Sequence, residues 1–242
     1  IGSNMFNLLV VIGVSALIKS FDVDQSIKKR DLPFNIILTA ILAVFTFTNK
    51  EIGLVEGVIF LIIFVSYIVS LIRNAIKNKT EDEEVKVMSV PKSIIFIILG
   101  LAAIIFGGDV VVDNACIIAT KLGLSQLFIG LTIVAVGTSL PELVTSVVAA
   151  KKGESGLALG NAVGSSILNI IVILGISATV NPIKVVASEY VFIMIDIIIL
   201  LLVSMVMMVF CVTRNKVSKF EGITCIVLYI AYMAYAIIRT VM

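Results

Sequence analysis

The chain has 242 residues, 60% of them hydrophobic and 14% charged, with a formal net charge of +2 and a mean hydropathy of +1.19. Soluble domains carry about one quarter charged residues, so this composition excludes a soluble globular domain and points to an integral membrane protein. The absence of histidine removes imidazole–metal and histidine-base chemistry, and Cys116, Cys211 and Cys225 stand singly in apolar runs, against a disulfide framework or a zinc site.

Runs of about 20 apolar residues match a hydrocarbon core about 30 Å thick. Eight spanning helices are predicted, over 1–18, 32–48, 52–73, 93–120, 125–150, 156–180, 189–212 and 219–240. The runs are continuously apolar rather than alternating, which predicts helices and not a barrel. The chain opens inside an apolar run, without methionine or a basic segment, and so reads as a truncated or processed copy of something longer.

Charge orients these spans. Lys19, Lys28, Lys29 and Arg30 follow the first, Arg73 to Lys92 surround the third linker, Lys151 and Lys152 follow the fifth, and Arg214, Lys216 and Lys219 follow the seventh. Together they hold fourteen of the 18 basic residues. The positive-inside rule then places loops 19–31, 77–91, 151–154 and 213–218 in the cytoplasm of a plasma membrane protein, with both ends outward. The stretch 77–91, "KNKTEDEEVKVMSVP", is the one long polar segment, and its acidic run Glu81 to Glu84 suits a solvated hinge better than a calcium-regulatory site.

Two parts of the chain repeat. "IGSNMFNLLVVIGVSALI" (1–18) lies on "VGSSILNIIVILGISATV" (163–180), with Gly2/Gly164, Ser3/Ser165, Asn7/Asn169, Val10/Val172, Gly13/Gly175, Ser15/Ser177 and Ala16/Ala178 identical. Glu56-Gly57 and Tyr67 recur as Glu221-Gly222 and Tyr232. Spans one to three therefore repeat as six to eight. Equivalent spans are an odd number apart and run in opposite directions, an inverted-topology repeat typical of secondary transporters. The expected organisation is three helices over 1–76, a cytoplasmic linker over 77–91, and a five-helix repeat over 92–242. Two helices are missing at the front.

The fifth span, "TIVAVGTSLPELVTSVVAA" (132–150), is apolar at both ends and polar in its middle. Pro141 cannot donate to the helix ladder and crowds the carbonyl of Gly137, so a kink or break is predicted over 137–141. The carbonyls it frees must be met by protein or by a polar cavity. Thr138, Ser139 and Glu142 add oxygens there, with Thr138 and Glu142 on one face if the helix resumes. In "GNAVGSSILN", Ser165 and Asn169 share a face, as Ser3 and Asn7 do in the first half, and Gly160 and Gly164 form a G-x-x-x-G pattern for close helix approach. Hydroxyls, amides, carbonyls and one carboxylate suit a hard cation such as calcium, and not a soft metal. Serines also bond their own helix, and Asn7 and Asn169 equally suit bridging between helices. Glu142 differs, because an acid inside a membrane is costly and is by default functional. Asp109 and Asp113 are read as capping or interfacial, Asp196 as solvated at the interface, and Ser218-x-x-Glu221 as a capping box.

The stretch "AVGTSLPELVTSVVAAKKGESGLALGNAVGSSILNIIVILG" (135–175) resembles the second signature repeat of the cation/calcium exchanger superfamily, in its prokaryotic sodium/calcium exchanger branch. "IGSNMFNLLVVIG" resembles the tail of the first. The resemblance implies an all-α membrane protein of the inverted-repeat transporter fold, with eight of an expected ten transmembrane helices present. It implies a sodium/calcium antiporter without enzyme activity, cofactor or nucleic-acid partner, its cargo calcium and sodium ions. Thr138, Ser139, Glu142 and the Ala135 carbonyl would line the cation sites, with Ser165, Asn169, Ser3 and Asn7 completing the cluster. The missing N-terminal helices, carrying their own glutamate, would complete the site. Asn169 stands where many relatives have aspartate, which argues against potassium co-transport. A proton- or potassium-coupled antiporter is the alternative, and a cation channel is the alternative from another class.

Overall fold

The computed structural model describes residues 1–77, 89–124 and 126–241. Of the hinge expected over 77–91, Lys77 ends one helix and residues 90 and 91 begin the next, while residues 78–88 lie outside the described residues. Nine helices make up nearly all of these: α1 (Gly2–Ile18), α2 (Ile27–Asn49), α3 (Leu54–Lys77), α4 (Val90–Lys121), α5 (residues 126–138), α6 (Leu140–Lys152), α7 (Gly156–Val180), α8 (Tyr190–Arg214) and α9 (Lys219–Val241). Six of them, α2, α3, α4, α7, α8 and α9, are long and apolar enough to cross a membrane. The α5–α6 pair makes a further candidate, bent by 49° at its break, and α1 is apolar but shorter. With backbone groups closed inside helices, apolar side chains can face lipid: Ile94, Phe96, Leu99 and Phe106 of α4 are all exposed.

Helices α1 and α7 form the centre. Met5, Leu8, Leu9 and Ile12 of α1 and Leu159, Ile167, Ile170 and Ile171 of α7 are fully buried in one continuous core. Around them the contacts come in matched pairs. Helix α9 packs on α1 and α3 packs on α7. Both contacts are backbone-close at glycine. A Cβ at Gly222 would stand 2.8 Å from the Gly13 carbonyl oxygen, and one at Gly57 would stand 2.9 Å from that of Gly175. Small residues that let helix backbones approach substitute for the hydrophobic drive that lipid removes.

Short strands tie the helix ends in the same crossed manner. Phe21–Asp22 pairs antiparallel with Lys216–Val217, and Glu51–Ile52 with Ile183–Lys184. Val23 N donates to the Asn215 carbonyl at 2.9 Å, and Val185 N to that of Lys50 at 3.1 Å. Lys50 and Asn215, at the ends of α2 and α8, take left-handed backbone at φ 54° and 51°. Next to the first strand, the Ser26 amide donates to Asp24 Oδ1 at 2.7 Å. Its contacts with Ser26 hold the Asp24 carboxyl below the usual carboxylate range. The capping box is present: Ser218 N donates to Glu221 Oε2 at 2.5 Å, and Glu221 N reaches Ser218 Oγ at 3.5 Å. Gly53 N likewise donates to Glu56 Oε2 at 2.9 Å.

Three expectations are corrected. Asp196 is not at a solvated interface: it is fully buried and ion-paired with Arg239, N to O at 2.9 Å. An unpaired charge there would be strongly disfavoured, and the arginine satisfies it. Gly160 and Gly164 do not mediate a close helix crossing. A Cβ at Gly164 would meet nothing within 4 Å and one at Gly160 only Ile27 Cδ1 at 3.7 Å, because both line an open groove shared with Arg30 and Tyr67. Of the two readings of Asp109 and Asp113, capping is removed, since both lie exposed within α4 and not at its ends; the interfacial reading is left standing.

Candidate cation site at the broken helix

The break falls where Pro141 sets it. Helix α5 ends at Thr138 and α6 begins at Leu140, with Pro141 in its first turn. Ser139 between them has φ −101°, ψ 5°, and its amide closes a tight turn on the Val136 carbonyl at 3.1 Å. Proline is tolerated in a first turn because no intrahelical donor is needed there. Gly137 is required by packing as well: a Cβ would stand 1.7 Å from Val112 Cγ2 on α4.

Thr138 is held close to the first half of the chain. Its Oγ1 lies 3.1 Å from Ser3 Oγ, so the two hydroxyls meet across α1 and α5. Thr138 Oγ1 also reaches the Val134 carbonyl at 2.9 Å and that of Ala135 at 3.3 Å. Ser139 and Ala135 are buried. Glu142 opens α6, and its Oε2 is buried with no hydrogen-bond partner among the described residues. A carboxylate oxygen left without a donor in an apolar setting costs free energy unless a cation or proton meets it. Because of the bend, Thr138 and Glu142 lie on opposite arms of the break and not on one straight helix face.

The amides form a second group. Asn169 Nδ2 donates to Asn4 Oδ1 at 2.9 Å, and Asn4 Nδ2 donates to the Ser166 carbonyl at 3.0 Å, bridging α1 and α7. Asn7 is fully buried, and both its side-chain polar atoms lack a partner among the described residues. Ser165 is half-buried on α7. Beside the break, Asn161 Nδ2 donates to the Glu142 carbonyl and to Ser146 Oγ, both at 3.1 Å, and Ser146 Oγ donates to the Ala158 carbonyl at 3.1 Å. This lattice fixes α6 on α7.

Asn4, Asn161 and Ser146 were not singled out by the sequence reading. Asn161 stands inside the quoted GN motif, so its signal was available; Asn4 corresponds to Ser166, so an identity count passes over it. Also unforeseen are four π-helical stretches among the described residues, Phe6–Val11, Ile27–Asp31, Gly130–Val134 and Asn169–Leu174, in α1, α2, α5 and α7. Such turns shift the carbonyl ladder and frequently mark functional sites. No group of three or more His, Cys, Asp or Glu side chains capable of holding a metal occurs among the described residues. A cation here would be held by neutral oxygens and one carboxylate, a donor set suited to hard ions.

The fold is that of a polytopic helical membrane protein. The sodium/calcium exchanger protein family model matches residues 1–73 and 92–238, and the chain belongs to that family. It is 32% identical over 225 residues to the inner membrane protein YrbG of Escherichia coli K12, covering 89% of this chain and 68% of that protein. It is 37% identical over 142 residues to the sodium/calcium exchanger MaX1 of Methanosarcina acetivorans, covering 59% of this chain and 40% of that one. The solved sodium-calcium exchanger NCX_Mj superposes with a TM-score of 0.74 at 30% identity, over 97% of this chain and 74% of that one.

Proposed function

We propose that this chain forms part of a secondary antiporter that exchanges sodium for calcium by alternating access at one oxygen-lined site near the membrane midplane. The observation that carries the reading is the buried, unpartnered Glu142 oxygen at the helix break that also brings Thr138 to Ser3. Thr138, Ser139, the Ala135 carbonyl and Glu142 hold the ion from one side. Ser3, Asn7, Ser165 and Asn169 face it from α1 and α7. Calcium and sodium ions neutralise the same carboxylate, so their occupancies exclude one another, and the inward sodium gradient drives calcium out. Each net charge moved inward adds about 2.3 kcal/mol per 100 mV.

An inverted repeat underlies this arrangement. The crossed glycine contacts at 13/222 and 57/175 support it, as do the crossed strands and the matched left-handed turns at Lys50 and Asn215. The counterpart of α5–α6 is not among residues 1–242, and the greater length of the relatives leaves room for it. It would bring a second carboxylate. The basic loops 19–31, 77–91, 151–154 and 213–218 face the cytoplasm of a plasma membrane protein.

The test is sodium-gradient-driven calcium-45 uptake into vesicles holding the full-length polypeptide, wild type against Glu142→Gln. Uptake in the wild type and its loss in the variant support the reading. Undiminished uptake in the variant removes Glu142 from the site. Calcium flux that follows a pH or potassium gradient instead reassigns the coupling ion, and flux without counter-transport indicates a channel.

A further inference from the structure

The two pseudo-equivalent helix pairs, α2–α3 and α8–α9, differ in what surrounds a shared aspartate and tyrosine. Each carries an aspartate facing a tyrosine at matching positions: Asp31 with Tyr67, and Asp196 with Tyr232. In the second pair the space beside them is filled by the protein's own side chains. Arg239 closes on Asp196 and lies over the rings of Phe192 and Tyr235, at 5.5 and 5.2 Å, with its side chain only 6% exposed. The residues of α3 that match Tyr235 and Arg239 are Ser70 and Asn74, both small and exposed. A groove of about 500 Å³ therefore stays open between α2 and α3.

The groove is polar at one end and apolar along the rest. Lys29 and Arg30 stand at its mouth. Arg30 grips Asp31 through Nε at 2.7 Å and Nη2 at 3.0 Å, which satisfies that carboxylate and leaves Nη1 outside the chelate. Lys29 is exposed and has no ion-pair partner among the described residues. The mouth thus keeps net positive charge. Below it, the Phe34 and Tyr67 rings stack 4.9 Å apart at 16°. Further along, Ile37 and Ile62 flank the groove and are 54% and 61% exposed. Lysines and arginines at the end of a spanning helix meet headgroups, and apolar clefts between such helices meet acyl chains.

We propose that this groove binds one anionic phospholipid, its phosphate held by Lys29 and the free edge of Arg30 and one acyl chain laid past Phe34 between Ile37 and Ile62. A soluble phosphate would use the mouth and leave the apolar trough uncovered. A zwitterionic lipid would fill the trough without matching the charge. The inference needs only that α2 and α3 cross a membrane, and it is independent of the transported ion.

Native mass spectrometry of the full chain in detergent tests it, with added phosphatidylglycerol or phosphatidylcholine of identical acyl chains. The wild type should retain one phosphatidylglycerol at activation energies that strip phosphatidylcholine. Lys29→Gln should weaken that retention about fivefold, the worth of one lysine against an anionic lipid surface. Ser70→Tyr, which copies the plug of the other pair, should abolish it. Both positions are exposed, so an unchanged gel-filtration profile confirms folding. Equal retention of the two lipids by the wild type overturns the proposal. So does an unchanged preference in either variant, or full competition by glycerol 3-phosphate lacking acyl chains.

Discussion

Alanine at Gly57 or Gly222 probes the two crossed helix contacts most sharply. At 222 the new Cβ would meet the Gly13 carbonyl oxygen at 2.8 Å and Ala16 Cβ at 3.1 Å. At 57 it would meet the Gly175 oxygen at 2.9 Å, Thr179 N at 3.0 Å and Ala178 Cβ at 3.1 Å. All of these are backbone or alanine atoms that cannot rotate away, so the helices must separate by several tenths of an ångström. Such overpacking costs about 1–3 kcal/mol, against a helix-propensity gain of about 1 kcal/mol for replacing glycine. The net loss, up to about 2 kcal/mol, lowers Tm by up to about 8 °C in a chain of this size. Gly164→Ala is the control, since its Cβ meets nothing within 4 Å, and it should melt at or above the wild type. Thermal melting of the purified protein in detergent, followed by size-exclusion fluorescence, reads all three. If Gly57→Ala and Gly222→Ala melt no lower than Gly164→Ala, the close crossings are wrong.

Other substitutions separate structural from ion-binding roles. Asn4→Ala strands Asn169 Nδ2 and the Ser166 carbonyl, and should cost about 1–3 kcal/mol in the same melting assay. Arg239→Met leaves Asp196 buried without its cation and should cost about 3–5 kcal/mol, most of it recovered when Asp196→Asn is added. Ser218→Ala removes half of a capping box and should cost about 1 kcal/mol without changing calcium binding. Thr138→Val keeps the side-chain volume but deletes the hydroxyl facing Ser3. It should weaken calcium binding by about tenfold, one lost ligand's worth, while Tm falls by less than in Asn4→Ala.

What was legible in the sequence was what chemistry forces locally. Pro141 lacks an N–H, so the break at Ser139 could be placed within the predicted 137–141. The glycines at 13, 57, 175 and 222 could be matched because a backbone-close contact admits no other residue. The capping box could be read because its partners are three residues apart. What escaped depends on distant partners. Asp196 and Arg239 lie on different helices, so Asp196 looked like an interfacial charge until the fold joined them. Asn4 was passed over because its counterpart is Ser166, although Asn4 Nδ2 donates to the Ser166 carbonyl across the central helices. The π-helical stretches have no residue code; their shifted hydrogen bonds arise from packing. The Gly160–Gly164 pattern misled for the complementary reason: glycine spacing permits close approach, and only a facing helix creates it.

The central claim is that calcium and sodium compete for the oxygens around Glu142. Equilibrium calcium-45 binding to the purified full-length polypeptide, titrated with sodium chloride against choline chloride at constant ionic strength, measures this directly. Sodium should displace calcium completely and saturably in the wild type, and Glu142→Gln should bind no calcium while eluting as a folded protein. Calcium binding that survives saturating sodium, or that persists undiminished in Glu142→Gln, would contradict the account.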